Sequence, residues 1–378
     1  MTGGILPAQR IRQAIEDGWV AADPAVPAEN VQPASLDLRL GVKAYALRCS
    51  FLPDDTVSIE TKLGDLAITE FDIRAGAVLE RNRPYLIPLT ERVALPGDVR
   101  GRTNPKSSTG RIDVFTRVIS EGNFRFDEIP AGYEGPLYLE VVSRSFAIRV
   151  QQGLTLNQLR LVSGDARCTD AEIVALHEDS PLVHAGDAPL DAAELRLADG
   201  LFLSVDLEQG EEPAGYKARP NAPLLDLARV GEHDAEAFWE PIYAGGGRTI
   251  LQPEEFYLLI SRERVQIPPW LGAEMTAYDP TAGELRTHYA GFFDPGFGFD
   301  PEGRRHGARA VLEVRARDVP FMVEHAQRIC KLGFEQMIEP PDLVYGERIG
   351  SSYQYQELTL SKHFRAHRAR QLALTGLG

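Results

Sequence analysis

Two segments of the chain repeat one another, and this duplication limits the fold more than any other feature. The segment YLIPLTERVALP, which starts at Tyr85, recurs 172 residues later as YLLISRERVQIP, which starts at Tyr257. LEVVSR, which starts at Leu139, recurs as LEVRAR, which starts at Leu312. A repeat that is far longer than the units of solenoids, and that occurs only twice, predicts two complete globular domains of one fold.

The pattern of apolar runs predicts a mainly β protein. Both copies contain short runs such as PYLIPLT and RAVLEVRA, separated by Pro and Gly turns at the spacing of about 8 to 12 residues that is typical of all-β domains. We therefore expect two tandem β domains, residues 1–165 and 166–378. Only a few short helices are expected. One is at Pro7–Asp17, where apolar residues recur at helical spacing, and another is near Asp191–Leu197.

The stretch from Ser163 to Gly247 is richer in acidic, Pro and Gly residues than its surroundings. Such a composition is typical of connecting segments. We interpret the stretch as a linker that leads into the first strands of the second copy.

Composition excludes several kinds of partner and site. With 43% hydrophobic and 25% charged residues, the chain has enough apolar residues for two cores. The formal net charge of −15 opposes binding to a nucleic-acid polymer, because such binding depends on many Lys and Arg contacts to phosphate. Three widely separated cysteines predict neither a disulfide framework nor a CxxC metal site. Neither a membrane-spanning run nor an export leader is recognised, so no membrane partner and a cytoplasmic location are expected.

The two copies differ at a polar turn. The first copy carries GRTNPKSSTGR at Gly101–Arg111, whereas the second has MTAYDPTAG at Met275–Gly283 in its place. Glycines permit tight turns whose backbone N–H groups can face an anion, and Lys106 and Arg111 add positive charge. The turn is therefore a candidate phosphate site, although the same composition is typical of an ordinary solvated loop.

The copies also differ at a hairpin. The second copy reads AGFFDPGFG at Ala290–Gly298, where the first reads FDEIPAGYEG at Phe126–Gly135. Pro and Gly favour a tight turn here, and the flanking phenylalanines could stack on a flat ring. An ordinary hairpin with half-buried aromatic side chains is the alternative. Because each copy lacks what the other retains, the two differences predict one composite site.

Five motifs follow one another in a distinctive order. They are VQPASLDLRLG at Val31–Gly41, the polar turn, the hairpin, the two LEV strands and the tail YGERIGSSYQYQ at Tyr345–Gln356. Together they resemble the dCTP deaminase and dUTPase family, in its dCTP deaminase branch. The resemblance covers most of both halves and implies distorted, jelly-roll-like β-barrels, usually assembled as trimers with active sites between neighbouring barrels. For this chain it implies a homo-oligomer, either a trimer or a dimer of two-repeat chains.

The resemblance also assigns roles to single residues. It makes Ser107, Arg111 and Glu313 the candidate catalytic residues, with Glu140, which occupies the place of Glu313 in the first copy, as the alternative base. The candidate substrate-binding residues are Arg102, Lys106, Ser108, Ala290, Asp294, Phe297, Tyr345 and Gln356. Among them the Asp of the hairpin would contact the deoxyribose, and the Tyr and Gln of the tail would close over the ligand.

Some positions depart from the family pattern. Ser352 stands where the tail usually has a Lys, and Pro130 stands in the first copy where the deoxyribose Asp belongs. In the second copy, Ala277 and Thr281 stand where Ser and Arg belong. These departures argue against two sites per chain and favour one site built from both copies.

The resemblance implies hydrolytic deamination of dCTP to dUTP and ammonia. A carboxylate would take a proton from the water that attacks C4, and would return protons to N3 and the leaving amine. The H-x-E with P-C-x-x-C signature of zinc deaminases is absent, so we expect no zinc, and Mg²⁺ bound only through the triphosphate. A dUTP diphosphatase or a bifunctional enzyme, in which Asp294 would activate water for attack on a phosphate, is one alternative. A nucleotide-binding regulator that has lost catalysis is another.

Overall fold

A computed structural model describes residues 3–277, 285–287, 291–303, 306–316, 318–346 and 350–365. We refer to residues up to 165 as the first half and to the remainder as the second half. Within the described residues, no helix is both long and apolar enough to span a bilayer.

The first half is built mainly from strands. These are β1 Gly4–Ile5, β2 Val20–Ala22, β3 Leu36–Arg39, β4 Lys43–Leu47, β5 Ala67–Asp72, β6 Ala77–Leu79, β7 Tyr85–Ala94, β8 Val99–Pro105, β9 Val114–Ser120, β10 Glu128–Ile129, β11 Glu134–Ser143, β12 Ile148–Val150 and β13 Thr155–Ser163. Its helices are α1 Ala8–Glu16, α2 Ile59–Leu66 and the single turn α3 Ser107–Gly110, with a 3₁₀ turn at Ala28–Asn30.

The second half has the same character. Its strands are β14 Val183–Ala185, β15 Ala188–Pro189, β16 Leu201–Ser204, β17 Gly215–Ala218, β18 Leu225–Asp226, β19 Trp239–Ile242, β20 Arg248–Leu251, β21 Phe256–Val265, β22 Leu271–Ala277, β23 Leu285–Thr287, β24 Phe292–Phe293, β25 Ala308–Ala316, β26 Phe321–Glu324 and β27 Arg328–Gln336. It also contains helix α4 Asp170–Asp179 and 3₁₀ turns at Ala192–Glu194 and Ala235–Ala237. The prediction of a mainly β chain with few short helices is confirmed.

Helix α1 confirms the predicted N-terminal helix. It buries Ile11 and Ala14 against the core of the first half, and Pro7 stands just before its first turn, where no intrahelical N–H bond is lost. The second predicted helix is only a 3₁₀ turn, closed by Asp191, whose side chain accepts a hydrogen bond from the Ala193 N–H at 2.9 Å.

Two sheets face one core in the first half. One has the order β5-β4-β7-β11-β9, with β2 on β7, and the other has the order β1-β13-β8-β10, with β3 on β13. Ile87 and Leu139 of the first sheet and Leu38 and Leu159 of the second are all fully buried in that core. Apolar residues at alternating positions of the facing strands therefore pack together, and the two sheets form a barrel-like pair of layers.

Equivalent strand pairs recur in the second half. Strand β11 pairs with β7 so that Glu140 lies opposite Leu86, and β25 pairs with β21 so that Glu313 lies opposite Leu258. Strand β13 pairs with β8, and β27 pairs with β22, over nearly their whole lengths. The LEV motifs thus occupy matching registers in the two halves.

The linker interpretation of Ser163–Gly247 is wrong. The segment contains α4 and several short strands, of which β14 and β17 pair with β21, and β16 pairs with β27. These strands are short and depend on partners far along the chain, so local composition does not reveal them. Strand β18 reaches back and pairs in parallel with β12 of the first half.

The C-terminal part of the described chain packs on the first half. The Phe364 ring contacts Phe238 and Trp239, and Trp239 in turn contacts Phe146 of the first half. Ser361 donates a hydrogen bond from its hydroxyl to the Ser108 carbonyl at 2.8 Å. These contacts hold the tail of the second half beside the polar turn of the first.

Candidate active site

A cavity of about 260 Å³ lies where the two halves meet. Its walls combine the polar turn of the first half with the hairpin, the β25 strand and the tail of the second. The lining residues are Gln32, Asp37, Pro105, Lys106, Ser107, Ser108, Gly110, Arg111, Gln158, Met275, Gly291, Phe292, Phe293, Asp294, Phe297, Val311, Glu313, Tyr345, Gly350, Ser351, Ser352, Tyr353, Gln356 and Lys362. The two motifs that sequence reasoning assigned to different copies therefore meet at one cavity.

The polar turn is anchored at its start by Lys106. Its ammonium donates to the carboxylate of Asp37 on β3 and, at 3.0 Å, to the hydroxyl of Thr155. Ser107 and Ser108 follow in the single turn α3, which ends β8 and brings both residues to the cavity wall. The turn thus presents an ammonium and two hydroxyl-bearing residues, a donor set suited to phosphate oxygens.

Arg111 is held by the tail of the second half. Its guanidinium donates to the Gln356 side-chain oxygen and to the Thr359 carbonyl, both at 2.8 Å, and lies 3.8 Å from the centroid of the Tyr353 ring. Arg111 is only 4% exposed. Because three partners hold the guanidinium, it has a defined orientation at the cavity wall.

Glu313 reaches the cavity from strand β25 of the second half. It is 8% exposed, and its carboxylate approaches Gly110 so closely that a Cβ at position 110 would lie 2.5 Å from Oε2. Burial raises the pKa of Glu313 to about 8, although Arg111 acts to lower it and Asp113 to raise it further. A carboxyl group that titrates near neutral pH can both take and give a proton.

Asp294 lies at the head of the hairpin. The Phe297 N–H donates to the Asp294 carbonyl at 3.0 Å, and Gly296 adopts a φ of 97° that an L side chain rarely tolerates. Burial raises the pKa of Asp294 to about 6, while Arg160 acts to lower it. Its Oδ1 atom is buried, has no hydrogen-bond partner among the described residues and lies 3.7 Å from Nη2 of Arg160.

The tail residues Tyr345 and Gln356 also line the cavity. The Tyr345 N–H donates to the Pro295 carbonyl at 2.8 Å, and the Tyr345 ring lies 5.6 Å from the ring of Phe297. Gln356 donates from its side chain to the Arg309 carbonyl at 2.9 Å. The tail is thus fastened to the hairpin and to β25; its closure over a ligand remains a prediction.

The structure places two candidate residues elsewhere. Glu140 is fully buried, does not line the cavity, and accepts a hydrogen bond at 3.1 Å from Nε of Arg117, a residue on the neighbouring strand β9. Arg102 is paired with Glu274 and Glu335 and does not line the cavity either. A third candidate, Ala290, lies outside the described residues.

Sequence reasoning missed several residues that line the site or support it. Asp37 and Lys362 line the cavity, Tyr353 stacks on an arginine, and Arg160 lies behind the hairpin. Burial lowers the pKa of Lys362, as does nearby Lys106. The absence of the expected Lys at position 352 is the signal that could have prompted a search for another cation in the tail.

The fold and cavity define a β-barrel protein with a composite, carboxylate-containing site. Family models for the N-terminal and C-terminal domains of 2′-deoxycytidine 5′-triphosphate deaminase match residues 2–165 and 169–364. The chain therefore belongs to the dCTP deaminase family.

Individual relatives agree with this assignment. A dUMP-forming dCTP deaminase of Halobacterium salinarum is 30% identical over 204 residues, which are 53% of this chain and 95% of that protein. A dUMP-forming dCTP deaminase of Methanothermobacter thermautotrophicus is 30% identical over 161 residues, which are 42% of this chain and 74% of that protein. The crystal structure of 2′-deoxycytidine 5′-triphosphate deaminase from Agrobacterium tumefaciens superposes with a TM-score of 0.84 at 45% identity, and covers 90% of this chain and 100% of that one.

Proposed function

We propose that the chain hydrolyses the 4-amino group of dCTP, yielding dUTP and ammonia, at the cavity between its halves. The observation that carries this proposal is that Glu313 and the fixed guanidinium of Arg111 line the same cavity, where the pKa of Glu313 is raised to about 8. Glu313 comes from one half and Arg111 from the other. Membership of the dCTP deaminase family supports the choice of cytosine as the base.

The proposed chemistry needs one shuttling carboxyl group. Glu313 removes a proton from water as the oxygen attacks C4, and delivers it to N3. It then takes the second proton from the C4 hydroxyl and delivers it to the amine, so that ammonia leaves and a carbonyl forms at C4. Ser107 and Arg111 orient the water and polarise the ring. Because Gly110 has no side chain, the Glu313 carboxylate can lie against the turn that holds both of these residues.

The remaining lining residues suit the rest of the nucleotide. Phe292 and Phe297 offer faces for the pyrimidine, and the carboxylate of Asp294, which also lines the cavity, can accept a hydrogen bond from the sugar, whose only free hydroxyl in dCTP is at the 3′ position. Lys106 and Lys362 supply positive charge for the triphosphate. Magnesium enters with the triphosphate as part of the substrate, since hydroxyl and ammonium groups favour phosphate oxygens over a metal ion.

We also propose that the chain arose by internal duplication, with domains at 1–165 and 166–378. The matching registers of the LEV strands support this division, as does the size of the Halobacterium relative, 95% of which aligns with 53% of this chain. One site per chain follows, because the residues of the polar turn and of the hairpin are each retained in a single half.

A bifunctional enzyme is the second candidate function. Two of the relatives are named dUMP-forming, and the pKa of about 6 at Asp294 would let its carboxylate act as a base toward water beside a phosphate. Such an enzyme would release pyrophosphate as well as ammonia. Association into trimers or dimers and a cytoplasmic location stay predictions.

One assay separates these possibilities. Purified protein is incubated with dCTP, dUTP or CTP, each with magnesium, and ammonia and pyrophosphate are measured separately. Ammonia from dCTP without pyrophosphate supports the deaminase, and both products together support the bifunctional enzyme. Pyrophosphate from dUTP without ammonia from dCTP contradicts deamination, and neither product from any substrate supports a regulator.

A further inference from the structure

We propose that Arg160, a residue of the first half, is a positioning residue that holds Asp294 of the second half in the form that accepts the 3′-hydroxyl of the nucleotide. The inference rests on the proposed function, because it takes a deoxycytidine nucleotide as the ligand. It assigns a role to a residue on β13 that does not line the cavity.

Arg160 supports the hairpin from behind through several contacts. Its guanidinium carbon lies 3.9 Å from the centroid of the Phe292 ring, and Nη2 lies 3.5 Å from the Phe293 carbonyl and 3.7 Å from Oδ1 of Asp294. The three contacted residues are consecutive. One side chain therefore fixes the ring face, the backbone and the carboxylate of the hairpin together.

The guanidinium is itself held rigidly. It is completely buried, and Nη1 donates to the Glu335 carboxylate at 3.1 Å and to the Ala273 carbonyl at 3.3 Å. Arg102 binds the same Glu335 from its other side. Nε of Arg160 has no hydrogen-bond partner among the described residues. Burying a cation costs free energy unless the cation is paired with an anion. Besides Glu335, the only carboxylate that the described structure places within ion-pair distance of Arg160 is that of Asp294.

The charges around Asp294 explain why this matters. Burial and nearby Asp37 raise its pKa, whereas Arg160 and Lys106 lower it, Arg160 with the larger effect. Lys106 is already paired with Asp37, and Glu335 behind Arg160 is paired with both Arg160 and Arg102. Tyr345, whose pKa is raised mainly by burial and also by Asp294, stays neutral, and Lys362 lies beside Lys106 and Asp37 in the same cavity. Without Arg160, the pKa of Asp294 would rise further, and a protonated carboxyl group is a poorer acceptor for a sugar hydroxyl.

The test isolates the sugar contact in a form of the full chain that turns over slowly. In a Glu313→Gln background, Kd is measured for dCTP and for 2′,3′-dideoxycytidine triphosphate, with magnesium, from pH 5.5 to 8.5. The two ligands carry the same phosphates and base. Titrations that affect binding of these shared parts change both Kd values equally, so the ratio of the Kd values reports only titrations that affect the contact with the 3′-hydroxyl. The variants added are Arg160→Met, Arg160→Gln, Arg160→Lys and Arg39→Met.

With Arg160 intact, the preference for dCTP should be about tenfold or more at pH 7.5, as expected for a hydrogen bond to a charged acceptor, and should decline below pH 6. In Arg160→Met and Arg160→Gln the decline should move up by about one pH unit or more, the usual effect of losing a close opposite charge. Arg160→Lys should restore most of the preference. Arg39→Met removes another buried arginine, paired with Glu91, and should lower the melting temperature without moving the pH midpoint.

An unchanged preference and midpoint in Arg160→Gln, or in Arg160→Met, would overturn the proposal. A midpoint shift of equal size in Arg39→Met would do so too, since it would reflect general loosening. If Arg160→Met does not fold, Arg160→Gln decides, because it can still bond to the hairpin carbonyl while lacking the charge. Failure of the otherwise unmodified enzyme to release ammonia from dCTP would instead defeat the proposed function.

Discussion

Glu140 and Glu313 occupy the same place in their sheets, opposite Leu86 and Leu258, yet they meet different neighbours. Arg117, on the adjacent strand, holds Glu140 in a buried ion pair. Glu313 instead faces the cavity, where its pKa is raised to about 8. The same strand position thus holds an ion-paired carboxylate in one half and a cavity-lining carboxyl group with a raised pKa in the other, depending on what packs against it.

The hairpins differ in the same manner. Ile129 pairs with Gly101 in the first half, and Phe293 pairs with Ala273 in the second, so that Pro130 and Asp294 follow at equivalent points. Proline offers no carboxylate to a sugar. A complete constellation therefore arises only where the first half's turn meets the second half's hairpin.

The largest expected effects come from replacing each of the two glutamates with glutamine. Glu313→Gln keeps size and hydrogen bonding but removes the proton carrier, so kcat for ammonia release should fall by about 10² to 10⁴. Glu140→Gln should keep its turnover but lose roughly 1–3 kcal/mol of unfolding free energy, because the pair with Arg117 is weakened. Steady-state kinetics and denaturant unfolding measure the two effects. A normal kcat in the first variant with a large loss in the second would move the base to the first half.

A second test concerns the space that Gly110 provides. In Gly110→Ala the new methyl group would displace the Glu313 carboxylate, and a misplacement of about 1 Å is expected to lower kcat by roughly 10²-fold. Gly97→Ala is the matched control, since its Cβ would meet nothing within 4 Å. Equal kcat values for the two variants would mean that the contact between turn and carboxylate does not matter.

The pH dependence of stability gives a smaller but independent signal. Glu313 titrates near 4.5 when unfolded and near 8 in the native protein, so the native state binds the extra proton between these values and wild-type stability falls as pH rises through this range. The Glu313→Gln variant has no carboxyl group at this position, so it does not lose stability in this way as pH rises. Its melting temperature should exceed that of the wild type by at least about 2–4 °C at pH 8, the shift that 1 kcal/mol produces in a domain of this size, and by nothing at pH 4.5. A constant difference across the range would show that burial does not raise this pKa.

The motifs of the site could be predicted from the sequence, but the residues that support these motifs could not. The positions of Ser107, Arg111, Asp294 and Glu313 at one cavity were predicted, because each lies in a motif with its own local signature. Arg160 has no such signature: it is a single cation in the strand TLNQLRLVS, and its role depends on a hairpin more than 130 residues away. Local patterns do not encode such contacts.

The short strands of the second half were not predicted from the sequence, for a related reason. Strands β16 and β17 are each four residues long and are stabilised by pairing with β27 and β21, which come later in the chain. The acidic and Gly-rich composition around them predicted a linker. The pairing partners, which decide the outcome, are visible only in the folded chain.

We propose that one nucleotide is held by both halves of one chain. A crystal structure of Glu313→Gln with dCTP and magnesium would show whether this is so. We expect one nucleotide per chain, with Ser107 and Arg111 of the first half and Asp294 and residue 313 of the second half all in contact with it or with one bound water. A nucleotide bound by residues of a single half, or two nucleotides bound to one chain, would rule out a shared site.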